Sequence, residues 1–71
     1  MRSFSVGSEV SWNWGEGIAQ GVVKEVYKEK VARVIKGSEV TRNASGENPA
    51  YLVEQSDGDK VLKSHSELEA N

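Results

Sequence analysis

The chain has 71 residues, of which 37% are hydrophobic and 28% charged, with a formal net charge of −2. This length suits one small domain, and we predict a single domain over 1–71 with its core at about 7–69. The absence of cysteine and the single histidine exclude disulfides, thiolate metal sites and multi-histidine metal patterns. No apolar run approaches the ~20 residues that span a bilayer, and Met1–Phe4 has no signal-peptide core, so we expect a cytoplasmic protein with no membrane partner and no cofactor.

The first half of the chain has the alternation typical of strands. Val10, Trp12 and Trp14 are separated by single polar residues, the period of a half-buried strand. A second strand is predicted over 18–27, which is rich in β-branched residues. Its alternation slips after Val23, which predicts a β-bulge near Lys24-Glu25 that bends the strand.

A β-hairpin is predicted in the middle of the chain. Strands at 31–36 and 39–42 flank Gly37-Ser38, which we interpret as a two-residue turn. With that turn, Arg33 would lie opposite Arg42, a repulsive pairing unless both side chains extend into solvent or share an anion.

The last third of the chain predicts two more strands and a helical turn. A polar loop at 43–49 precedes strands at 51–55 and 60–63, and a helical turn is expected over 65–69 with Leu68 packed inward. About five strands with short connections favour an all-β, five-stranded SH3-like barrel, since closure removes exposed edges. A five-stranded OB barrel is the second choice, because segment 43–49 is too polar and glycine-rich for the helix such a barrel usually carries.

Several sequence blocks together resemble the Tudor domain family of hypervirulence-associated proteins. They are Val10-Ser11-Trp12-Asn13-Trp14-Gly15, Ala19-x-Gly21-x-Val23, Ile35-Lys36-Gly37, Arg42-Asn43, Pro49-Ala50-Tyr51-Leu52, Asp57-Gly58-Asp59 and Leu62-Lys63-Ser64. The resemblance covers roughly Gly7 to Glu69. It implies a Tudor-like, SH3-type barrel and names no reaction.

No arrangement of residues predicts an enzyme. His65 lies between two serines and near Asp57 and Asp59, but a catalytic triad needs a shaped pocket and oxyanion donors rather than adjacency in sequence. The two aspartates flank Gly58 and are too few for a calcium loop, so they indicate a turn. We therefore expect no catalytic residue and no metal site.

The aromatic residues offer a contact surface for a peptide or protein partner. Trp12, Trp14 and Tyr51 are candidate ligand-binding residues, either as core side chains or as an aromatic cage for methylated lysine or arginine, the mode that the Tudor resemblance implies. Trp14 ends its strand and is the expected exposed residue. Arg33 and Arg42 are added as a candidate anion-binding pair.

The charge distribution leaves a second function open. Segment 24–42 carries six basic and three acidic residues, a net charge of +3, whereas the rest of the chain is acidic. A nucleic-acid-binding barrel using this basic segment is the alternative to a peptide-binding module, although a pI near 5.3 disfavours it. An exposed aromatic residue beside a basic face would favour nucleic acid, and a pocket lined by carboxylates would favour a cationic peptide. The basic residues of segment 24–42 are Lys24, Lys28, Lys30, Arg33, Lys36 and Arg42. The oligomeric state is left open.

Overall fold

A computed structural model describes residues 3–70 and is built from antiparallel strands. The all-β prediction is confirmed, with seven strands among these residues rather than about five. Within the described residues, no helix is long and apolar enough to cross a membrane. The elements are β1 (Glu9–Trp14), β2 (Gly17–Tyr27), β3 (Val31–Ile35), β4 (Ser38–Arg42), β5 (Ala50–Glu54), β6 (Lys60–Ser64), a 3-10 helix (His65–Glu67) and β7 (Glu69–Ala70).

The strands form two sheets. Five of them are hydrogen-bonded in the order β6-β5-β2-β1-β7, and β3 pairs only with β4 as a separate two-stranded sheet. The expected barrel is therefore not closed by hydrogen bonds. The β3–β4 hairpin packs on β6 through side chains, which leaves β6 as an edge of the five-stranded sheet.

The predicted bulge in β2 is confirmed. Val23 lies opposite Val53, but Glu25 lies opposite Leu52, so Lys24 is the extra residue. Because side chains alternate between the faces of a strand, the extra residue changes which later residues point toward which face. Beyond the bulge, Glu25 therefore faces the same side as Leu52, toward the hairpin.

The main core lies on one face of the five-stranded sheet. Close packing there depends on Gly21, because a Cβ at this position would lie 2.6 Å from Cγ1 of Val53 and 2.7 Å from the carbonyl oxygen of Glu54. β5 is buried on both faces, with Leu52 on the side opposite the main core. The core cluster consists of Val10, Trp12, Val23, Tyr51, Val53 and Leu68.

The hairpin turn lies one residue earlier than predicted, which shifts the strand pairing by two residues. The turn is Lys36-Gly37, with φ of 52° and 79°, and Ile35 pairs with Ser38. Positive φ at both central residues defines a type I′ turn, which matches the twist of the flanking strands and places glycine second. The prediction of Gly37-Ser38 as the turn is therefore wrong. Arg33 consequently lies opposite Val40, not opposite Arg42.

The helical turn at the end of the chain is confirmed as a 3-10 helix. The Ser64 amide donates to the Glu67 carboxylate at 3.0 Å, so a side chain of the 3-10 helix caps the backbone of the residue that precedes it. Leu68 follows and is buried in the main core. The 3-10 helix thus directs the chain back to the sheet, where β7 pairs with β1.

Candidate functional site

The two tryptophans share one face of β1 but differ in exposure. Trp12 pairs with Ala19 and Trp14 with Gly17, so both side chains point to the core side of the β1–β2 pair. Trp12 is 4% exposed, whereas Trp14, at the end of the strand, is 71% exposed. The prediction that Trp14 is the exposed tryptophan is confirmed.

A groove of about 300 Å³ lies beside Trp14, and we call it the Trp groove. It runs along β6, and because β6 is an edge strand, side chains from both of its faces reach the groove. The tip of the β3–β4 hairpin supplies Lys36 from the other side. The lining residues are Trp12, Trp14, Ala19, Lys36, Gln55, Asp59, Lys60, Val61 and Lys63.

The Trp groove is positively charged although the chain is acidic overall. Its lining carries three lysines and one aspartate, a local charge of +2 on a chain of net charge −2. Nζ of Lys36 lies 2.8 Å from Oδ2 of Asp59. The hydrogen bond to Asp59, together with its negative charge, raises the pKa of Lys36 above the usual lysine value. Lys36 therefore stays protonated, and the carboxylate of Asp59 is already engaged.

The other two lysines are held differently. Nζ of Lys63 lies 3.7 Å from Oε2 of Glu67 and 6.0 Å from the ring centroid of Trp12. Glu54, which lies opposite Lys60, is instead 3.7 Å from Nζ of Lys24. Among residues 3–70, no carboxylate pairs with Lys60. Lys60 is thus a cation available to a ligand.

Tyr51 lies in the core and not on the Trp groove. It is fully buried, its hydroxyl oxygen accepts the Phe4 amide at 3.0 Å, and it lies 2.8 Å from Nδ1 of His65. Burial raises the pKa of the Tyr51 hydroxyl, against a smaller opposing effect of the Phe4 hydrogen bond. Trp12, Trp14 and Tyr51 therefore do not form one exposed aromatic surface, and only Trp14 presents a ring face to solvent.

Arg33 and Arg42 lie on the same face of the hairpin but contact different carboxylates. Arg33 is hydrogen-bonded to Glu25, and its guanidinium carbon lies 5.5 Å from the ring centroid of Tyr27. Nε of Arg42 lies 3.5 Å from Oε1 of Glu67, a charge contact without hydrogen-bond geometry. Each guanidinium thus faces a carboxylate of its own, and the two are not arranged around one anion.

The basic residues of segment 24–42 do not form one free surface. Four of them, Lys24, Arg33, Lys36 and Arg42, face carboxylates. Lys28 and Lys30 lie in the exposed β2–β3 connection, at the end of the hairpin opposite Lys36. Of the six, Lys36 is the one that lines the Trp groove.

Sequence reasoning missed Lys60 and Lys63 as site residues. They flank Val61 and Leu62 in β6, where the local pattern reads as an ordinary strand. Only the approach of the hairpin tip and β1 to this edge brings the two lysines beside Trp14. The local sequence holds no signal for that juxtaposition.

The residues considered for catalysis have structural contacts. His65 is hydrogen-bonded to Tyr51, and the Asp57 carboxylate accepts the Asp59 amide at 2.9 Å within its turn. In the part of the chain that the structure describes, no three His, Asp or Glu side chains are grouped to hold a metal ion.

Comparison with known proteins gives a family for the chain. Neither a curated protein nor a solved structure matches the sequence. The sequence model of the Tudor domain of hypervirulence-associated proteins matches residues 7–68, nearly the whole chain. This match indicates a small binding module, in keeping with the all-β fold. The chain therefore belongs to the family of Tudor domains of hypervirulence-associated proteins.

Proposed function

We propose that this chain is a non-enzymatic binding module that holds an anionic partner in the Trp groove. The observation that carries the proposal is the exposed ring of Trp14 beside Lys36, Lys60 and Lys63. Family membership supports a binding role. Because the groove is positively charged, we expect its partner to be negatively charged, whether it is a peptide, a protein or a nucleic acid.

The same charges argue against a cage for methylated lysine or arginine. Such cages surround a cation with aromatic faces, and a nearby carboxylate helps to hold it. Here Trp12 and Tyr51 are buried, and the carboxylate of Asp59 is paired with Lys36. A cationic ligand would therefore meet one aromatic face and a net positive charge.

An anionic ligand gains from both features of the Trp groove. Its charge is attracted by Lys60, which has no carboxylate partner among the described residues, and its flat or apolar part covers Trp14. Charges in a concave site attract a ligand more strongly than the same charges spread over a convex surface, since field lines converge there. A ligand of this kind therefore binds the groove despite the overall charge of −2.

NMR titration of the 15N-labelled domain tests this proposal with three probes: a ten-residue oligothymidylate, decaglutamate and decalysine. We expect at least one anionic probe, and not decalysine, to shift the indole N–H signal of Trp14 and the amides of Lys36 and Lys60. Trp14→Ala should weaken the binding.

Ile18→Ala is the matched control variant. Ile18 is 68% exposed, close to the value for Trp14, and points to the opposite face of the β1–β2 pair. It should leave binding unchanged. If neither anionic probe shifts Trp14, or if decalysine alone does, the proposed function is wrong.

A further inference from the structure

We infer that the partner of the Trp groove is single-stranded nucleic acid, with one base stacked on Trp14 and the backbone phosphates on Lys36, Lys60 and Lys63. This inference rests on the proposed function and names its ligand class. Aromatic rings that stack bases, combined with positive charges that follow the backbone, are how proteins bind single strands without reading sequence.

The shape of the Trp groove suits one planar group. Its volume of about 300 Å³ lies at the lower end of the range of small-ligand sites, so it accommodates one ring and not a folded segment. Trp14 supplies a largely open ring face at one side. A base can cover this face completely, whereas an acidic side chain offers it only an aliphatic stem.

The exposed indole also selects a single strand over a duplex. Bases in a duplex are paired and stacked on one another, so their faces are not available to a protein ring. Unpaired bases can turn out and stack on an aromatic side chain. Trp14 protrudes at the end of β1, where such a base can reach it.

The positions of the lysines favour a strand over a mononucleotide. Lys36 comes from the hairpin turn, while Lys60 and Lys63 come from β6, about 10 Å apart along an extended strand. A backbone that carries one phosphate per nucleotide can contact cations spread in this way. A single phosphate can contact fewer of them, so a mononucleotide should bind much more weakly.

Asp59 repels a negatively charged ligand, so removal of its charge should tighten binding. Its carboxylate is the one negative charge in the lining and is paired with Lys36. Asp59→Asn removes that charge and frees Lys36 for a phosphate. Glu47→Gln is the matched control, because Glu47 is exposed in the 43–49 loop and does not line the Trp groove.

Fluorescence anisotropy with labelled oligothymidylate and oligouridylate decamers measures the affinity at several salt concentrations. Three phosphate contacts predict a slope of log affinity against log salt of about −2, and Lys60→Gln should reduce its magnitude by about 0.7. Trp14→Ala should weaken binding about 5- to 150-fold, the range for one stacked base. Asp59→Asn should tighten it, whereas Glu47→Gln and Lys28→Gln, a neutralised lysine outside the groove, should change it little.

Competition with thymidine monophosphate and with decaglutamate decides between ligand sources. The inference holds if both compete much more weakly than unlabelled decamer. It is overturned if decaglutamate competes equally, which would leave an acidic peptide as the partner and the proposed function intact, or if the monophosphate competes equally, which would leave a free nucleotide. If no anionic probe shifts Trp14 by NMR, the proposed function fails as well.

Discussion

Replacing each tryptophan by alanine should affect stability very differently. A buried aromatic side chain removes about 150–250 Å² from water, and at ~25 cal/mol per Å² this is worth about 4–6 kcal/mol. Residual burial in the unfolded chain lowers the figure by roughly 10–40%. Trp12 is 4% exposed in the main core, so Trp12→Ala should cost about 3–5 kcal/mol. Trp14 is 71% exposed, so Trp14→Ala should cost only about 1 kcal/mol.

Urea unfolding followed by far-ultraviolet circular dichroism measures both effects. A domain of this length has a total stability of roughly 4–11 kcal/mol, so Trp12→Ala will be largely unfolded if the domain is at the low end. Trp12→Phe is then the informative variant, with a smaller but clear loss of stability. Equal and large destabilisation by Trp12→Ala and Trp14→Ala would refute the placement of Trp14 outside the core.

Three further substitutions test other parts of the structure. Gly21→Ala should lower the unfolding free energy by about 1–3 kcal/mol, because its Cβ would meet the Glu54 backbone. Gly46→Ala, whose Cβ would meet no atom within 4 Å, should change it by less than about 0.5 kcal/mol. Equal effects of the two substitutions in urea unfolding would contradict this packing. Burial raises the pKa of Tyr51 in the folded state. The neutral hydroxyl therefore contributes to the unfolding free energy in full below the unfolded-state pKa of about 10, and this contribution is lost as pH rises through the folded-state pKa. The advantage of the wild type over Tyr51→Phe, measured by urea unfolding at pH 8 and pH 11, should therefore shrink at the higher pH, and a constant difference would show that the hydroxyl is not buried. In the Asp59→Asn background, where the ion pair of Lys36 is already absent, Lys36→Asn should stabilise the hairpin, because asparagine tolerates the positive φ at this position better than lysine. Faster hydrogen exchange of the β3–β4 amides in the double variant than in Asp59→Asn would count against the type I′ turn.

The sequence determined local features better than their arrangement. The bulge after Val23 could be predicted from strand periodicity, and the exposure of Trp14 from its position at the end of a strand, and both are local properties. The sequence predicts the hairpin turn one residue too late, because Gly37 suits either position of a two-residue turn. The preference for a type I′ turn, with Lys36 at positive φ, was the deciding factor.

The residues of the candidate site were predicted only in part. Trp14 was found from its position at the end of a strand. Lys60 and Lys63 were not, because their proximity to Trp14 depends on how the hairpin tip and β1 approach β6, a tertiary contact that strand patterns do not report. The basic segment 24–42 stood out by composition, yet most of its charges are engaged by carboxylates from other elements.

The separate pairing of the hairpin means that the molecule has two units able to open independently. Within residues 3–70, no backbone hydrogen bond joins β3 or β4 to the five-stranded sheet. The hairpin can therefore swing away when its side-chain contacts break, while the ladder of the larger sheet stays intact. Such a movement carries Lys36 away from Asp59 and exposes Leu52, which lies beneath the hairpin. The width of the Trp groove thus depends on an element that, within residues 3–70, side-chain contacts and not backbone hydrogen bonds hold against the larger sheet.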